Sequence, residues 1–449
     1  MRSATAGRSG SAAIAAVLFT LGFGCGSSGT GPSVDAGSTV DSGSTPDAGP
    51  TDAGPTGDGG ATRDAGSGAD AGPGDGGSGK ADSGYRFIPR SDWPLISNPG
   101  GHPVNPDVQL VTITFAGYPF QAEVEAFGDY LVGSSWFADT GREYGAGTGS
   151  HIAKLHLPDY DASKPQTISD LDIESLVLRD IDAGVLPPPG SPIRSLYMFY
   201  LPASITVSNG GFGASCKNFL GYHNEYSFSL LNPADNFNYA IVADCSPGQA
   251  NELMQIETTA SHELAEAATD PFPISAPAFQ IHDLNSPWVI AGQIVEAGDV
   301  CEGQYMLAPG SDGGFWVQQI WSNLAADAGL APCVPADPQR PYFGVTVSPA
   351  GTVPADAGET MDLQVTGWSS GPMSGSWSVG DSIWSTSGLG QYIPTLTWAS
   401  PNLDNGESAT LGVTVPAGAA AGSNGIVMLY SDLPNSQIYS RWPVVVRRR

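Results

Sequence analysis

The segment His262-Glu263-Leu264-Ala265-Glu266 sets an imidazole and a carboxylate four residues apart, with a second carboxylate beside the first. On an α-helix, residues i and i+4 are neighbours on one face, so His262 and Glu266 can both reach one metal ion. Glu263 then stands next to that ion, where it can act as general base on water. A carboxylate in place of a second imidazole is an acceptable oxygen donor, but its charge makes the ion a weaker Lewis acid. The same spacing decorates many solvated helix faces, so these five residues alone do not separate a site from ordinary surface.

A helix must present them. Ser246-Pro247-Gly248-Gln249 reads as its start, with Ser as N-cap, Pro at the first helical position and Gln three residues after the cap. Asp270-Pro271 ends it, because proline cannot continue the hydrogen-bond ladder. Leu253, Ile256, Ala260, Leu264 and Ala267 form one apolar stripe, and His262 and Glu266 fall on the far side. This is the geometry of the zincin helix, whose His-Glu-x-x-His motif binds zinc. The surroundings are mixed. Residues 108–115, 195–201 and 239–242 are β-branched or aromatic runs that predict strands, and residues 121–132 and 169–182 predict helices. Residues 85–338 therefore read as an α+β domain, zincin-like around its metal helix. From 339 to 449 the chain turns to short β runs punctuated by Gly, Pro and Ser, which predicts an immunoglobulin-like β-sandwich.

The wider context of the helix is more specific. Ser261 to Pro271, then Glu296-Ala297-Gly298-Asp299-Val300-Cys301-Glu302-Gly303, then Gln319-Ile320-Trp321-Ser322, resembles the plant EXORDIUM, or phosphate-induced protein 1, family and its bacterial relatives. The resemblance is strongest over residues 216–321, weaker over 136–149, and absent from the N-terminal segment and the C-terminal module. It implies an exported zincin-like domain, with His262 and Glu266 as zinc ligands and Glu263 as base. It also brings in Glu296 as third ligand and Asp299 as the group orienting His262, although the reverse assignment suits the same two residues. His223 matches a family histidine, for which an oxyanion-stabilising, ligating or structural role is open. His151 and His156, five apart in a strand, are expected on opposite faces, which argues against a shared metal; Asp270 reads as part of the helix terminus.

The N-terminus addresses compartment. Arg2 and Arg8, an apolar run over 12–21 and then Gly22-Phe23-Gly24-Cys25 read as an export signal over residues 1–25. Its end resembles a bacterial lipoprotein cleavage box, making Cys25 the expected lipidation site, with simple secretion the alternative. Residues 26–84 hold recurrent Asp-Ala-Gly triplets and almost no large apolar side chain, the composition of a disordered acidic tether. Setting Cys25 aside leaves Cys216, Cys245, Cys301 and Cys333. In an oxidising compartment they predict two disulfides, with sequential pairing expected among three possibilities. The net charge of −28, with four lysines in the whole chain, leaves no basic patch for nucleic acid. Two function classes follow. One is an exported, lipid-anchored zinc hydrolase, most simply a metallopeptidase acting on a peptide or protein. The other is a non-catalytic surface or matrix protein that binds envelope material or glycan, with a structural or vestigial metal site.

Overall fold

The computed structural model describes residue 88 and residues 90–449, apart from 210–212, 228–235, 293–294, 312–313, 386–389, 400 and 435. The export signal, Cys25 and the tether lie outside the described residues. The chain combines helices and strands, with strands predominating. A five-stranded sheet runs in the order Gly149–Asp161, Val108–Ala116, Ser195–Leu201, Phe237–Ala243, Gly221–Tyr226. The first four are parallel neighbours and the last is an antiparallel edge. Every residue of Ser195–Leu201 and Phe237–Ala243 is buried, as expected of inner strands covered on both faces.

Alternation along these strands feeds two cores. Leu196, Met198 and Tyr200 join Ile256, Ala260 and Leu264 of the helix Glu252–Thr269 on one face. Tyr197, Phe199 and Leu201 join Ile173, Leu176 and Val177 of the helix Asp170–Asp182 on the other. The latter helix is capped as its sequence indicates: Ser169 Oγ accepts from Asp172 N, and Asp172 Oδ2 accepts from Ser169 N at 2.8 Å.

Two expectations change. The helix carrying His262 begins at Glu252 with Asn251 as N-cap, not at Ser246. Pro247 and Gly248 instead form the middle of a turn closed by Gln249 N donating to Ser246 O at 3.0 Å, with Gly248 at φ 75°. Pro-Gly is the favoured central pair of such a turn, so the same residues that resemble a helix start satisfy a different local structure. In Gly149–Asp161, a bulge leaves Ile152 without a partner: Leu110 faces His151, Val111 faces Ala153, and Thr114 faces His156. The extra residue turns His151 and His156 to the same face, where they meet Asp129 at 2.9 Å and Glu125 at 3.1 Å. These contacts hold them on the helix Gln121–Leu131, away from His262.

After residue 338 two sheets share one core. One has the order Phe343–Ser348, Thr360–Ser369, Ser408–Thr414, Thr395–Thr397; the other, Val353–Ala355, Tyr439–Arg448, Asn424–Asp432, Trp377–Ile383, Asn402–Leu403. This β-rich part packs directly on the rest of the chain. Trp442 meets Trp93 at 5.2 Å and Trp288 at 5.5 Å between ring centroids. Both disulfides pair sequentially, Cys216 with Cys245 and Cys301 with Cys333. They fit an oxidising, extracellular or secretory environment. No helix among the described residues is long and apolar enough to cross a membrane.

Candidate metal centre

The helix Glu252–Thr269 is buried from Gln255 to its end, including the face that carries His262 and Glu266. Leu253, at the start of the apolar stripe, is only half-buried, whereas Ile256, Ala260, Leu264 and Ala267 are sealed. One side packs on the strands Phe237–Ala243 and Gly221–Tyr226; the strand Trp316–Gln318 and the short helix Ala297–Val300 cover the other. The edge strand brings in His223, and the short helix brings in Glu296, as its N-cap, and Asp299. Six groups converge: His223, His262, Glu263, Glu266, Glu296 and Asp299, none more than 6% exposed.

Their donor atoms form two overlapping triads. His262, Glu266 and Asp299 each offer one atom within 4.8 Å of the others, and so do His223, Glu266 and Glu296. Glu266 Oε2 lies 3.1 Å from His262 Nε2 and 3.6 Å from His223 Nδ1. Asp299 Oδ1 lies 4.0 Å from His262 Nε2, and Glu296 Oε1 lies 3.6 Å from His223 Nε2.

The tautomers follow from the hydrogen bonds. Gln318 Nε2 donates to Gly298 O at 2.7 Å, which orients the amide and turns its Oε1 toward His262 Nδ1 at 3.1 Å. An amide oxygen only accepts, so His262 Nδ1 carries a proton, and Nε2 is the ring nitrogen that faces Glu266 and Asp299. His223 Nε2 donates to the carbonyl of Asp270 at 3.1 Å, leaving Nδ1 toward Glu266 and toward Glu263 Oε2 at 3.8 Å. Metal-ligating histidines are commonly oriented in this way. The contact to His262 Nδ1 thus comes from Gln318, while Asp299 belongs to the triad itself. Gln318 stands one residue before the stretch picked out in the sequence, and no local pattern marks it.

The carboxylates are aimed by backbone. Asp299 Oδ2 accepts from Val295 N at 3.0 Å and Glu296 N at 3.1 Å, turning Oδ1 to His262. Glu266 Oε1 accepts from Asp299 N at 3.1 Å, leaving Oε2 between the histidines. Asp270 is buried beside Glu296 and His223 but outside both triads: its two oxygens accept from Ala278 N at 2.8 Å and Gln280 Nε2 at 2.6 Å, which ties down the chain after the helix. Two glycines permit the close packing. A Cβ on Gly298 would lie 2.7 Å from Glu266 Oε1, and one on Gly221 would lie 2.8 Å from Glu263 Oε1.

The segment that carries Glu296 and Asp299 is braced from behind. Cys301 is bonded to Cys333. Glu302 is buried, paired with Arg441 and hydrogen-bonded by Tyr439 Oη at 2.8 Å. Arg441 also donates to Asp299 O at 3.0 Å. Both Arg441 and Tyr439 come from the C-terminal strand Tyr439–Arg448, so the β-rich part is a wall of this centre.

No family model matches the chain, and no curated protein matches it significantly.

The electrostatics are those of a site that could hold a cation. Burial pushes the Glu263 and Glu296 carboxyls up, and that of Asp299 to about 7. Burial also acts to raise Glu266, but His262 and His223 outweigh it and hold that carboxyl at about 2. For His223, burial opposes the charged form, yet Glu296, Glu263 and Glu266 outweigh it and raise the imidazole well above its usual value. Glu263 Oε2 and Glu296 Oε1 are buried and accept no hydrogen bond. Buried carboxylate oxygens of this kind are costly unless a cation or proton meets them. Imidazole and carboxylate donors suit a divalent ion such as zinc, and they do not by themselves select one metal.

Proposed function

We infer that the chain is an exported protein with a metal-dependent hydrolytic centre of zincin type, anchored through Cys25 and related to the EXORDIUM family through its metal helix. Two observations support the metal: the oriented triad of His262, Glu266 and Asp299, and the unsatisfied oxygens beside it. The observation that carries the hydrolytic reading is Glu263. Its Oε2 accepts no hydrogen bond, and with His262 it lines a cavity of about 10 Å³, roughly the room one water needs. A zinc ion held by His262, Glu266 and Asp299 would supply Lewis acidity. Glu263 would take a proton from water and return it to a leaving group, which suits a carboxyl raised by burial. Gln318 would hold the His262 ring throughout. A peptide or other acyl compound is the substrate class that this chemistry serves.

The closure of the site favours a second reading, a surface or matrix protein stabilised by a non-catalytic metal. A cavity of about 560 Å³ lies beside Trp288 and Trp442, and none of the six groups lines it. The test is Glu263→Gln in the purified full chain, with zinc content and hydrolysis of a peptide library both measured. The hydrolytic reading expects zinc to be retained and hydrolysis lost. Hydrolysis unchanged by the substitution, or protein that never binds zinc, would refute it. Zinc binding with no hydrolysis in the unsubstituted protein would leave the second reading.

A further inference from the structure

We propose that the centre binds two divalent cations, bridged by the carboxylate of Glu266: one held with His262 and Asp299, the other with His223 and Glu296. The proposal rests on the metal reading above and extends it from one ion to two.

Three observations carry it. The first is the donor geometry. The two triads have Glu266 as their one common member, and each adds its own imidazole and its own carboxylate. Glu266 Oε2 stands between the imidazoles, 3.1 Å from His262 and 3.6 Å from His223. A carboxylate between two such donor sets is what a bridging ligand requires.

The second is charge. Glu263, Glu266, Glu296 and Asp299 are four buried carboxylates, and among the described residues their ion-pair partners are the two histidines alone. The nearby guanidinium of Arg441 is paired with Glu302. Ligating imidazoles are neutral, so the cluster carries four negative charges when ionised. One divalent ion leaves two of these four charges uncompensated in a buried cluster, which is strongly unfavourable, whereas two ions compensate all four; Asp270, a further buried carboxylate beside Glu296, is met by Ala278 N and Gln280 Nε2. Protons are the competing counter-charge.

The third is Glu296. Its Oε1 is buried, accepts no hydrogen bond, and lies 3.6 Å from His223 Nε2, the ring nitrogen that donates to the Asp270 carbonyl. An ion at His262, Glu266 and Asp299 alone leaves that oxygen unsatisfied; an ion between His223, Glu266 and Glu296 satisfies it. His223 would ligate through Nδ1, which faces Glu266 Oε2 at 3.6 Å, because its Nε2 donates to the Asp270 carbonyl.

The experiment uses the full chain, stripped with a chelator and reloaded with zinc, then freed of excess metal for elemental analysis. Two zinc ions per chain are expected, falling to one in His223→Asn and in Glu296→Gln, with circular dichroism confirming that each variant is folded. Reloading with Mn²⁺ tests the bridge without substitution: an exchange-coupled electron paramagnetic resonance spectrum is expected. One zinc ion per chain, unaffected by His223→Asn, together with an uncoupled manganese signal, overturns the two-metal proposal and leaves a single-metal centre. No bound metal overturns both.

Discussion

Arg441→Met tests how firmly the C-terminal strand braces the metal centre. Arg441 and Glu302 are a buried pair, with side chains 2% and 4% exposed. Removing the guanidinium strands the Glu302 carboxylate, to which Tyr439 Oη still donates at 2.8 Å, and also removes the donor to Asp299 O. Breaking one partner from a buried pair typically costs about 3–5 kcal/mol, most of it the uncompensated charge that remains. At about 2 °C per kcal/mol for a chain of this size, the melting temperature of chelator-treated protein should fall by roughly 6–10 °C. The double variant Arg441→Met with Glu302→Gln removes both charges and should recover most of that loss. Scanning calorimetry at pH 7 with the disulfides intact measures both, and zinc titration reads the consequence for the segment holding Asp299. A single variant that loses less than about 1 kcal/mol refutes the argument, since a buried unpaired carboxylate cannot be that cheap. So does a double variant as unstable as the single, which would assign the cost to packing.

Other outcomes follow from the same geometry. Gln318→Ala removes the acceptor at His262 Nδ1 while leaving every proposed ligand in place, so zinc affinity measured against a competing chelator should fall about 10–100-fold. Unchanged affinity would deny Gln318 its orienting role. Glu257, which accepts from Trp316 N at 2.9 Å, is pushed by burial to about 7. The folded state therefore holds its proton more tightly than the unfolded chain. Glu257 favours the fold most below the ordinary glutamate range, and that contribution is lost as pH rises through about 7. Denaturant titrations of metal-free protein should show stability declining from pH 5 to pH 8 by up to roughly 3 kcal/mol from this residue, at about 1.4 kcal/mol per pH unit. Glu257→Gln should make the decline shallower by that amount, with the raised carboxyls of the cluster supplying the rest; an unaltered slope would deny Glu257 any share in it.

Much of the local structure was legible because local patterns dictate it. The run 195–201 is a buried strand with the expected limits, and residues 169–182 form a helix with Ser169 as its cap. The end of the metal helix at Asp270 follows from Pro271, which lacks the N–H to continue. Its start was misread, because Ser-Pro-Gly-Gln satisfies a turn as well as a cap and only the φ of Gly248 decides between them. The faces of His151 and His156 were misread for a related reason: strand parity holds only without a bulge, and the bulge at Ile152 depends on pairing with Val108–Ala116.

The sequence by itself determined the components of the centre: the i, i+4 spacing of His262 and Glu266, the adjacent Glu263, the acidic segment with Glu296 and Asp299, and an even set of four cysteines. These are facts of residue type and helical period, which need no partner to be read. The tertiary structure alone decided what faces them. His223 arrives on an antiparallel edge strand, Gln318 turns the His262 ring, and Arg441 reaches the acidic segment from 142 residues beyond Asp299. Contacts so distant in sequence leave no periodic trace, because they are set by how sheets and helices stack and not by the local backbone. That stacking also turned a helix face expected to lie opposite the apolar stripe into the buried interior of a charged cluster.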